Sequence, residues 1–226
     1  MENTASKKSS KAGADKTPKI REAYIDYLLE YGHEPASVYK FMKMLKMKEA
    51  TFYDHYNSFS AIEKDIWRGF FSETMSRIQG ESVYNEYTVR EKLLAFYYTW
   101  IEVLKENRSY VTFSVGRMKR QGLGYTNDAF LRSFRRDFLD FANELLAEGK
   151  ETEEIVDRPL IGNRYDEGLW RQLIFVLRFW VNDDSRGFER TDEAIEKAVN
   201  LSFDLMSRSA LDAAFDFAKF LFQKRG

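Results

Sequence analysis

Apolar side chains along this chain recur every three or four positions, the spacing that gathers them on one face of an α-helix. From Pro18 onward, Ile20, Ala23, Tyr24, Tyr27, Leu28 and Tyr31 share such a face, and Gly32 stands where the helix should stop. Pro18 suits a first turn, where its missing N–H is not needed. Beyond Pro35, Ser37 is placed to cap a second helix carrying Val38, Phe41, Met42 and Leu45. A third, short helix begins near Lys48 with Ala50, Phe52, Tyr53 and Tyr56, and Asn57-Ser58 breaks it. A fourth starts at Ser58 and presents Ile62, Ile66, Phe70 and Met75. Five or six more helices are predicted over 88–106, 109–120, 126–148, 166–182 and 191–223, the last of them broken near Ser207 to Ser209. Gly149 reads as a helix stop, Gly122, Gly124 and Asn127 as a turn, and 150–165, with Pro159 and Gly162, as a loop. No stretch alternates as a strand would. The pattern predicts an all-α fold of about nine or ten helices.

Composition narrows the chemistry. The chain has 226 residues, 44% of them hydrophobic and 16% aromatic, ample for a buried core. It contains no cysteine, which excludes disulfides, zinc-thiolate sites and thiol nucleophiles. The N-terminus lacks an apolar signal-peptide core, and the most apolar window, Leu173 to Val181, holds Arg178 and is too short to span a bilayer. A soluble, cytoplasmic protein without membrane contact is expected. Residues 1–17 carry Lys7, Lys8, Lys11 and Lys16 and no bulky apolar residue after Met1, so a disordered basic tail is expected there. Net charge is only −1. The first 68 residues are mildly positive and the remainder mildly negative, which points weakly to a polyanion at the N-terminal end. Arg117, Lys119 and Arg120 read as a solvated basic face. His33 and His55 are the only histidines, and they lie too far apart to suggest a metal motif. Gly122-Leu123-Gly124 follows no strand and makes no phosphate loop. No catalytic residue, cofactor or metal is expected.

Three short helices within about 40 residues, with a tight turn between the second and third, match helix-turn-helix geometry. Thr51-Phe52-Tyr53-Asp54-His55-Tyr56-Asn57-Ser58, with Gly32 and Ser37-Val38 before it, resembles the DNA-binding domain of the TetR family over about residues 20–66. The resemblance implies a helix-turn-helix domain over 18–66 and a larger helical domain over 67–226 for effector binding and dimerisation. It would place the third helix in the major groove of double-stranded DNA carrying a pseudo-palindromic operator. Tyr53 and His55 would then position the backbone, with Lys48 and Thr51 nearer the bases and Ser37 and Lys43 as candidate backbone contacts. Lys16, Lys19 and Arg21 are candidates for a minor-groove arm. The chain departs from the family pattern at Met42, Lys46, Lys48-Glu49 and Phe59, where the family favours a small residue, Gly, a small or polar pair and Lys respectively. Asp54 and Glu49 also put negative charge on the third helix.

The same resemblance implies a small apolar or aromatic effector held between the central helices. Phe96, Trp100, Tyr110, Phe113, Phe130, Phe134 and Trp170 are the candidate pocket, with ordinary core packing as the alternative. The run Trp170 to Trp180 is apolar nearly all round, so it must be buried on more than one side. The resemblance implies a homodimer built from the last two main helices, and Leu173, Leu177, Trp180, Val199, Phe203 and Met206 are the expected interface. The function implied is a DNA-binding transcriptional regulator, most often a repressor, controlled by its effector. The alternative is a helical dimer of the same fold whose degenerate helix-turn-helix no longer binds an operator.

Overall fold

A computed structural model describes residues 15–120, 128–158 and 162–207. The described residues are helical, joined by turns and short 3-10 segments, with no strand among them. Contacts divide the chain into two compact units, Met1–Ile62 and Glu63–Gly226. Among the described residues no helix is long and apolar enough to cross a membrane.

The first unit is built from α1 (Thr17–Tyr31), α2 (Val38–Met44) and α3 (Glu49–Tyr53), with the opening turn of α4 (Phe59–Gln79). Pro18 lies in the first turn of α1. Gly32 ends that helix in the left-handed region at φ 72°, and its N–H donates to Leu28 O. Ser37 caps α2, its hydroxyl accepting from the Lys40 N–H at 3.2 Å. The core is aromatic. Tyr24, Phe41 and Phe52 are fully buried and all three contact the ring of Phe59, at centroid distances of 5.4, 5.6 and 5.6 Å. Such ring pairs each add roughly 0.5–1.5 kcal/mol beyond simple burial. Two of the family departures thus have a packing cause: Met42 is fully buried, and Phe59 is the hub on which the other three helices converge.

The second unit holds the rest of α4 with α5 (Val89–Glu106), α6 (Arg108–Arg120), α7 (Arg132–Glu151), α8 (Tyr165–Val181) and α9 (Glu189–Met206). α7 packs on α8, and α9 lies against both α5 and α8. A capping box starts α5: Thr88 Oγ1 accepts from the Glu91 N–H while the Glu91 carboxylate accepts from the Thr88 N–H at 2.8 Å. α9 stops at Met206 with Ser207 extended, where the break was expected; Leu211, Phe215 and Phe220 lie outside the described residues. So do the turn at Gly122, Gly124 and Asn127, the tail lysines before Lys16, and Pro159.

Two expectations are corrected here. Gly149 does not stop a helix: α7 continues to Glu151. A Cβ on Gly149 would come within 2.8 Å of Ile155 Cγ1, so this glycine is where the returning chain crosses the helix at close range. Nor is Arg117 part of a solvated face. It pairs with the buried carboxylate of Glu63 and lies over the Phe113 ring.

Candidate nucleic-acid interface

The burial pattern of the first unit decides which side chains remain available. Phe52 fixes α3 from within, so its neighbours Thr51 and Tyr53 are turned away from the core. Tyr53 is 57% exposed, well beyond what a core-edge tyrosine would show. Lys43, Lys48 and Ser37 are exposed as well, and Thr51 is half-buried. Ser37 spends its hydroxyl on the α2 cap, so its structural role is already occupied. His55 is held at the start of α1, with its Nδ1 3.0 Å from Thr17 Oγ1 and 3.8 Å from Asp15 Oδ1. That contact leaves Nε2 as the atom able to reach outward. Lys16 and Lys19 are exposed at the start of α1, and Arg21 is half-buried. Glu49 and Asp54, at the two ends of α3, are exposed too.

The turn joining α2 and α3 is shaped by its backbone. The Lys46 N–H donates to Lys43 O at 3.1 Å, and the Met47 N–H donates to Met42 O at 2.9 Å. Lys46 itself sits at φ 55°. Beside it a groove of about 420 Å³ is lined by Tyr39, Lys43, Lys46, Met47, Lys48 and Glu49. The Lys43 ammonium lies 5.9 Å from the centre of the Tyr39 ring.

In the second unit the candidate effector residues other than Phe113, whose ring lies under Arg117, take part in one network of aromatic contacts. Phe134 is ringed by Trp67, Phe71, Trp100 and Trp170 at centroid distances of 6.0, 5.8, 5.6 and 6.1 Å. Phe96 stacks on Trp100, Phe130 meets Trp67, and Tyr110 meets Phe70. All but the half-buried Phe113 are buried. Within this cluster the indole N–H groups of Trp67, Trp100 and Trp170 and the Tyr97 hydroxyl have no protein hydrogen-bond partner among the described residues. Burial pushes the Tyr97 phenol far above its usual range, so it stays a neutral donor.

The six expected interface residues lie inside the subunit. Leu173, Leu177, Trp180 and Val199 are fully buried, and Phe203 and Met206 nearly so. Within the subunit they keep little or no exposed surface, so the outward faces of α8 and α9 carry other residues. The period explains why. Leu173, Leu177 and Trp180 share the inward stripe of α8, while Arg171, Phe175 and Phe179 share the opposite one. Phe175 and Leu201 are 50% and 60% exposed. With Phe179, Ala194 and Ala198 they line a groove of about 650 Å³ along α8 and α9.

Comparison with known proteins fits this arrangement. Residues 92–221 match the family model described as "Tetracyclin repressor-like, C-terminal domain". No curated protein matches the chain in sequence. Among solved structures, the chain resembles a protein of Syntrophomonas wolfei assigned to the TetR-family transcriptional regulators, at 19% identity and a TM-score of 0.63, over 84% of this chain and 94% of that one. A protein of Shewanella sp. PV-4 with the same assignment shares 13% identity at a TM-score of 0.59, over 86% of this chain and 99% of that one. The TetR-family regulator PfmR of Thermus thermophilus shares 17% identity at a TM-score of 0.50, over 80% of this chain and 97% of that one. At these identities the structures speak for the fold, while the family model spans more than half of the chain. The chain belongs to the TetR family, carrying its tetracyclin-repressor-like C-terminal domain behind a helix-turn-helix.

Proposed function

We propose that this protein is a dimeric DNA-binding transcriptional regulator, acting as a repressor, whose affinity for a two-fold-symmetric operator is set by a small apolar or aromatic effector. The observation that carries this reading is the third helix. Buried Phe52 anchors it, while Tyr53 beside it is 57% exposed and, with exposed Lys48 and half-buried Thr51, forms a polar face turned away from the core. A phenol and a hydroxyl on a fixed helix suit backbone positioning, and the lysines supply counterion release. His55 would reach a phosphate through Nε2, since Nδ1 is engaged with Thr17. Ser37, through its backbone, and Lys43 would flank the same strand.

The effector would enter the aromatic cluster of the second unit. Its indole and phenol donors without protein partners favour a ligand that adds acceptor groups to an apolar body. Such a ligand regulates by binding one arrangement of the dimer more tightly than another, shifting the spacing of the two recognition helices. The dimer would form through the outward stripes of α8 and α9, lined by Phe175, Phe179 and Leu201. Its two-fold axis matches an operator with half-sites about 34–36 Å apart. This function needs no catalysis and places the protein in the cytoplasm.

The exposed carboxylates of Glu49 and Asp54 favour one rival, a TetR-like dimer that has lost operator binding. Tyr53→Ala separates the two readings. Fluorescence anisotropy with labelled duplex DNA should show the variant binding at least about tenfold more weakly, the worth of one hydrogen bond to a charged group. Equal affinity of wild type and variant, or no binding by either, would favour the rival.

A further inference from the structure

We propose that Lys46, in the turn between α2 and α3, is a phosphate-positioning residue, and that the groove it shares with Lys43 and Lys48 seats one backbone phosphate of duplex DNA. The inference rests on the DNA-binding role proposed above. It starts from a conflict between residue and backbone. Lys46 adopts φ 55°, a region that strains a residue bearing a Cβ and suits glycine. The turn requires this conformation, because the Lys46 and Met47 N–H groups close it onto Lys43 O and Met42 O. Glycine would therefore serve the fold better at this position.

The Lys46 side chain is exposed, and its ammonium forms no ion pair among the described residues. A strained conformation that the surrounding structure forces, and that yields no ion pair among the described residues, points to a use outside the protein. The surroundings identify the ligand. Tyr39, Lys43, Lys46, Met47, Lys48 and Glu49 line the groove, so three cations face it against one carboxylate. Lys43 stands over the Tyr39 ring, which orients that ammonium beside the same groove. A tetrahedral anion with charge shared over several oxygens fits three separate point donors, which outnumber the single opposing carboxylate of Glu49. On a helix-turn-helix this anion is a DNA phosphate. The contact would be blind to base sequence, setting the register in which α3 meets the groove.

The test compares the full-length wild type with Lys46→Gly and Lys46→Met, on one selected duplex and one of unrelated sequence. Anisotropy titrations over about 50–200 mM salt give affinity and its salt dependence, and thermal melts give stability. Lys46→Gly should bind both duplexes about three- to tenfold more weakly. The slope of log affinity against log salt should flatten by about 0.9 for each subunit bound. The same variant should melt about 2–4 °C higher, because the strain is relieved. Lys46→Met removes the charge and keeps the Cβ, so it should lose the same affinity without the gain in melting temperature. A wild type that binds DNA while both variants keep its affinity and slope would overturn this assignment alone. A lower melting temperature for Lys46→Gly would also overturn it, by showing that the lysine serves the fold. A wild type with no salt-sensitive DNA binding would overturn it together with the proposed function.

Discussion

Asp183 shows how much one side chain can hold in place. Its carboxylate accepts from Thr191 Oγ1 at 2.6 Å, from the Thr191 N–H at 2.9 Å and from the Ser185 N–H at 2.9 Å. It thereby pins the first turn of α9 to the link that follows α8. Burial by itself would raise its pKa, but the bonds from Thr191 and Ser185 outweigh burial and hold it at about 2, below its ordinary 3.8. A depressed folded pKa means that the stabilisation is complete above about pH 4 and is lost as pH falls through about 2. Asp183→Asn should cost about 1–2 kcal/mol at pH 7, and the gap from wild type should close as pH falls from about 4 toward 2. Chemical denaturation at stepped pH measures it; a gap that stays constant down to pH 2 would contradict this role. Phe59 belongs to the same scale. It departs from the family pattern, which favours Lys there, and Tyr24, Phe41 and Phe52 all meet its ring. Sequence shows which residue is unusual, whereas only packing shows what an unusual residue does.

Helices were the most legible level. The 3.6-residue period, Pro18, Gly32 and Ser37 locate α1 and α2 closely, and the predicted stretches of α5, α6 and α8 lie within a residue or so of those observed. Gly149 misled because a glycine near a helix end signals either a cap or a close crossing, and sequence does not show Ile155 coming back across it. The faces of α8 were less legible than its ends. An almost wholly apolar helix carries no polar stripe to say which side faces the core. The structure buries Leu173, Leu177 and Trp180 and leaves Phe175 out. That assignment carries a test. Ala198 lies in the groove with Phe175 and Leu201, so Ala198→Glu should place a bulky charge in the proposed dimer contact without disturbing the subunit core. Sedimentation should show a dimeric wild type and a variant shifted to monomer with unchanged helical content. A variant that remains dimeric would move the interface elsewhere.

For the molecule as a whole, two compact units divide the work proposed here. The first presents a polar helix face above an aromatic core, and the second holds a larger aromatic cluster and an outward apolar groove. The helix-turn-helix was readable from its spacing and from the Thr51-Phe52-Tyr53-Asp54-His55 string. A pocket is not legible in the same way, because aromatic side chains that line a pocket and those that fill a core share the same helical period. A two-fold dimer makes the most direct demand on DNA, since each recognition helix must meet an equivalent half-site one turn apart. Selection of bound sequences from random duplex DNA with the full-length protein measures that demand. The protein should enrich a sequence with two inverted half-sites whose centres lie about 10 base pairs, or a multiple of one turn, apart. Enrichment of no sequence above the starting pool, or of a single unrepeated half-site, would contradict a dimeric operator-binding regulator.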